Sequence, residues 1–106
     1  MKQFVLLYTG GGMAETDAEK AAVMRAWGEW FGSVGSNLID NGTPFIPNVK
    51  TVASDGTITD SPIGVLATGY TIVAAESLDH AAQIAKHCPV LQGGGKITVY
   101  EKLPVM

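Results

Sequence analysis

One cysteine, Cys88, stands in a sequence of 106 residues. A single thiol forms neither an internal disulfide nor a Cys-x-x-Cys zinc site. Charge is also scarce: 16% of residues are charged, against 46% hydrophobic. Seven Lys plus Arg, none clustered, and a net charge of -3 argue against nucleic acid as a partner, because that binding rests on neutralising phosphates. No apolar run approaches the ~20 residues of a membrane span, so no membrane partner is expected. The opening MKQFVLLYTGGG lacks the longer apolar core and A-x-A site of a signal peptide. Together these absences lead us to expect a soluble protein of the reducing cytoplasm.

What is present fits one small domain spanning residues 1–106. A chain of this size buries a modest core, and a charge-poor surface leaves apolar area to cover. Both effects favour self-association, and a homodimer is expected.

KQFVLLYT, apolar and ending at Gly10, reads as a buried strand. Thr16 followed by Glu19 is a capping-box pattern. Val23, Trp27, Trp30, Phe31, Val34 and Leu38 then recur at helical spacing, which predicts a helix that runs to Asn41-Gly42. Gly28, Gly32 and Gly35 weaken it, so its stability must come from packing that face. Two prolines in TPFIP make the next stretch an edge strand or irregular. Asp55-Gly56, between KTVAS and TITD, signals a hairpin whose two central residues take positive φ. SPIGVLATG reads as a loop and YTIVAA as a strand. Ser77 is a good N-cap for LDHAAQIAKHC, whose apolar stripe is Leu78, Ala81, Ala82 and Ala85. Pro89 stops that helix, and KITVYEKL closes the domain as a strand.

Strand, helix, hairpin, strand, helix, strand is the order of an α+β sandwich with both helices on one face of an antiparallel sheet. The other face still needs a cover, which two sheets packed face to face would supply. That is a second reason to expect a dimer.

The opening MKQFVLLYTGG, the Trp-bearing first helix, the hairpin SDGTITDSP, the stretch TGYTIVAAESLDHAAQIAKHCP and the closing GGKITVYE resemble the YCII-related family, in particular its DGPF-type branch. The resemblance covers nearly the whole chain and implies a ferredoxin-like, dimeric α+β barrel. Asp60 and Pro62 match the Asp-Gly-Pro-Phe signature, while Ser61 and Ile63 depart from it. The family's proposed catalytic pair is a histidine on the first helix and an aspartate before a proline after the second. Here the first helix has no histidine, and Cys88 precedes Pro89. Related barrels include small isomerases and lyases, and members of the branch are often associated with alternative sigma factors. The resemblance therefore implies either a lyase- or isomerase-type enzyme or a non-catalytic ligand-sensing or regulatory module.

Few residues carry chemistry. His87 and Cys88 adjoin at a helix C-terminus, whose dipole favours a charged imidazole and opposes a thiolate. Cys88 also continues the apolar stripe, so it reads as a buried small hydrophobe. His80 and His87 would stand ~10 Å apart along the helix, too far to share an ion, so neither metal nor cofactor is expected. GGGKI runs into a strand, and YTGGGMAETD lacks the Lys of a phosphate loop; both glycine runs read as flexible connections. Trp27 and Trp30 share one helical face, as core or dimer interface or as ligand lining. The expectation is a pocket between helices and sheet lined by Trp27, Trp30, Asp60, Tyr70 and His87. His87 or Asp60 would be its acid/base, and a small organic molecule its ligand.

Overall fold

The structure, a computed structural model, describes residues 1–11 and 14–104. Strands β1 (Lys2–Thr9), β2 (Leu38–Pro44), β5 (Ala67–Ala75) and β6 (Lys96–Glu101) form an antiparallel sheet in the order β2-β5-β1-β6. Helices α1 (Asp17–Val34) and α2 (Leu78–Ala85) join it, and a separate small hairpin pairs β3 (Thr51–Val52) with β4 (Ile58–Thr59). The fold is α+β and compatible with the ferredoxin-like arrangement expected from the sequence.

Alternation along the central strands assigns their faces. Phe4, Leu6 and Tyr8 of β1 and Thr71, Val73 and Ala75 of β5 are buried. They pack with Trp30 of α1, with Ala81 and Ala85 of α2, and with Cys88. The helices meet where Trp30 Nε1 donates to the Ile84 carbonyl at 3.2 Å. Val5, Leu7, Tyr70, Ile72 and Ala74 alternate with these residues and project from the other face, which carries no helix among the described residues.

Both helix starts form as the sequence predicts. Thr16 Oγ1 accepts from the Glu19 N–H at 3.1 Å, and Glu19 returns a carboxylate oxygen to the Glu15 N–H. Ser77 Oγ likewise accepts from the His80 N–H, and His80 Nδ1 accepts from the Glu76 N–H. The helix ends come earlier than expected. α1 stops at Val34, because Gly35 takes φ +62 and its N–H caps the Phe31 carbonyl. A 3-10 turn over Gly35–Asn37 then leads into β2. Leu38 thus opens an edge strand paired with β5 instead of continuing the helix. The cause is tertiary: Leu38 gains a ladder opposite Val73, while a helix through a further glycine, Gly35, gains little.

The hairpin forms at Asp55-Gly56, but not with two positive φ values. Only Gly56 is left-handed, at φ +91. Gly56 donates to the Ala53 carbonyl and Asp55 Oδ1 accepts from the Thr57 N–H at 2.9 Å, so a three-residue loop with a glycine bulge replaces the two-residue turn. The glycines near the second helix are also tighter than flexible connections. A Cβ at Gly95 would stand 2.8 Å from the Val90 carbonyl oxygen, so this junction is closely packed. In the first glycine run, Gly10 and Gly11 take positive φ, and Gly12 lies outside the described residues.

The whole is flat: 44 × 42 × 19 Å, with a radius of gyration of 15.2 Å against about 13 Å for a compact domain of this length. Its thinnest dimension is one helix layer on one sheet. No helix among the described residues is long and apolar enough to cross a membrane.

Candidate functional site

The five residues singled out by the sequence do not line one pocket. Trp27 and Trp30 lie in the helix layer. Their ring centroids are 5.7 Å apart and edge-on, and Trp27 stands 5.6 Å from Tyr8. Trp30 is buried, and the space between helices and sheet where a pocket is expected is filled by Phe4, Leu6, Tyr8, Trp30 and Val73. Tyr70 points the other way, because it neighbours the inward-facing Thr71 on β5. Its hydroxyl lies 3.3 Å from Asp40 Oδ2, and the charge of Asp40 raises its pKa. Asp60 lies in the segment that joins the hairpin to β5, exposed and bonded to Lys50. Such an exposed ion pair contributes little. His87 is exposed beyond the end of α2.

The sequence reading missed a buried polar cluster. Tyr8 donates its hydroxyl to Thr71 Oγ1 at 2.6 Å, and Thr71 donates onward to the Asn41 carbonyl at 3.0 Å. The Cys88 thiol adjoins the Tyr8 hydroxyl, and burial pushes both the thiol and the phenol above their ordinary pKa values. A buried thiol held protonated is a poor nucleophile. KQFVLLYT is apolar on both of its faces, so nothing local places Tyr8 inward or reveals its partner 63 residues away.

The concave surface lies elsewhere, where the chain from residue 45 to 66 leaves the sheet as an arm. A groove of about 570 Å³ opens there, floored by Leu7 and Ala67 of the sheet and walled by apolar arm residues including Phe45, Ile46, Ile63 and Val65. Phe45 stacks near Tyr70, with centroids 6.0 Å apart. A neighbouring groove of about 470 Å³ is lined by Pro47, Asn48, Val49, Lys50 and Asp60. His87 lines neither. Among the described residues no three His, Cys, Asp or Glu side chains come together to hold a metal ion. No model of a known protein family matches the chain, and no curated protein is similar to it in sequence.

Proposed function

We propose that the chain is a YCII-related, DGPF-type homodimer of the cytoplasm, which binds a small organic ligand at the arm groove and acts as a ligand-sensing or regulatory module. One observation carries this reading. The chain exposes 7418 Å², roughly 30% more than the ~5,700 Å² expected of a monomeric protein of its mass. The open sheet face holds Val5, Leu7, Tyr70, Ile72 and Ala74, an apolar set suited to packing on a second sheet. The groove at the rim of that face is mostly apolar, as small-molecule sites are.

The enzyme reading, a lyase or isomerase with His87 or Asp60 as acid/base, has less support. Asp60 already binds Lys50 at the surface, and His87 faces solvent away from both grooves. General acid–base catalysis needs a titratable group within hydrogen-bond reach of the substrate.

Light scattering at micromolar concentration tests the assembly. The expected mass is twice the 11.1 kDa of one chain; a monomeric mass overturns the reading. A thermal-shift screen of small cyclic and carboxylated metabolites tests the ligand, since saturation at a hundredfold excess over Kd stabilises by about 2.7 kcal/mol. Conversion of a bound compound to a new product would favour the enzyme instead.

A further inference from the structure

We propose that the arm, residues 45–66, is a clasp that closes on a second copy of this chain, so that each ligand groove is walled by both protomers. This rests on the dimer reading and adds a specific surface to it.

The arm cannot be accounted for by one chain. Its strands pair only with each other among the described residues, through Thr51 opposite Thr59 and Val52 opposite Ile58. An isolated two-stranded hairpin is marginally stable at best in water. At its root the Phe45 N–H donates to the Thr68 carbonyl at 2.9 Å, which ties the arm to the end of β5. Beyond that root its apolar side chains face solvent: Ile46, Val52, Ile58, Ile63 and Val65 are each 60–86% exposed. Contiguous apolar surface of this kind marks an interaction site.

The occupant is a second copy because area and continuity agree. The surface in excess of a monomer's expectation is roughly 1,700 Å² per chain, or about 3,400 Å² for a pair, within the range of obligate homodimers. The groove runs without a break from arm residues onto Leu7 and Ala67 of the open sheet. A partner seated on that sheet therefore meets the arm at once. In a two-fold dimer the same patch serves both sides, and a sparsely charged arm raises no like-charge barrier to its copy. Lys50 and Asp60, the one arm ion pair, are already matched to each other.

The test is sedimentation equilibrium on the full chain with three variants. Ile63→Asp combined with Val65→Asp places charge on exposed arm positions. It is expected to weaken dimerisation by about a hundredfold or more, as loss of central apolar anchors does. Gln83→Asp, on the exposed side of α2, is expected to leave it unchanged. Ile72→Asp, on the open sheet, dissociates the dimer whether or not the arm takes part. If Ile72→Asp dissociates the dimer and the arm variant does not, the clasp is wrong and the dimer stands. If the unmodified chain is monomeric, the dimer reading fails and the clasp with it. Should the arm variant not fold, hydrogen exchange on the unmodified chain decides. Protection at Val52 and Ile58 that disappears on dilution supports the clasp, and protection independent of concentration overturns it.

Discussion

Tyr8 and Thr71 are diagonal neighbours on the inward face of β1 and β5, and their hydroxyls share one hydrogen bond of 2.6 Å in a buried setting. Thr71 is the hinge of this relay, because it accepts from Tyr8 and donates to Asn41. Thr71→Val keeps the shape but leaves both a phenol donor and a carbonyl acceptor without partners, at an expected cost of about 2–4 kcal/mol. Tyr8→Phe removes only the first donor and is expected to cost about 1 kcal/mol. Urea denaturation of both variants gives the order; a larger loss for Tyr8→Phe would mean that the relay is not what holds the strands.

Alkaline pH should weaken the fold in two steps. The ordinary values are 9.0 for the Cys88 thiol and 10.0 for the Tyr8 phenol, and burial raises both in the folded chain. Above pH ~9 the unfolded chain releases the thiol proton while the folded chain keeps it. The unfolded state then binds fewer protons, and stability falls by up to about 1.4 kcal/mol per pH unit for each group. Below those pH values the contribution is fully present. Cys88→Ala should remove the earlier step and leave the onset near pH 10. Urea midpoints from pH 7 to 11 measure this, and identical curves for both proteins would refute it.

Gly42 bears the tightest backbone contact on β2. It takes φ +76, and a Cβ there would lie 1.7 Å from the Tyr70 carbonyl oxygen. Gly42→Ala must move one strand away from the other, with an expected loss above about 3 kcal/mol. Gly56→Ala, also at positive φ but with open space around it, should cost much less. Chemical denaturation of the pair separates steric overlap from backbone strain.

His87→Ala and Asp60→Asn alter exposed side chains. Each is expected to change stability by less than about 0.5 kcal/mol and to leave ligand-induced thermal shifts intact. Loss of the shift in Asp60→Asn alone would assign the ligand to the neighbouring groove that Asp60 lines.

Much of the scaffold was legible because local signals sufficed. Thr16 with Glu19 and the N-cap Ser77 mark helix starts locally, and the apolar, β-forming runs KQFVLLYT and YTIVAA mark two strands. The end of α1 was not legible, since Leu38 keeps helical spacing and only its partner Val73 reveals a strand. The candidate site suffered from the same limit. Trp27 with Trp30 reads first as core or dimer interface and second as pocket lining, and the choice depends on Tyr8 and Phe31 packing around them. Asp60, Tyr70 and His87 each had a chemical reason for notice, but spacing along a chain does not say which layer a residue joins. The arm groove escaped notice because its apolar residues are scattered among turn formers with no period.

The sheet order bears on how the chain reaches this state. β1 occupies an interior position, yet its neighbours are β5 and β6, with Phe4 opposite both Val73 and Glu101. This strand therefore has no sheet partner until β5 has been made, and its second edge stays open until β6 follows. Contacts so distant in sequence slow folding, and until they close, KQFVLLYT is a bare, nearly uncharged β-forming segment, the kind that nucleates aggregation. Cells making this protein fast should lose part of it to inclusion bodies through that segment.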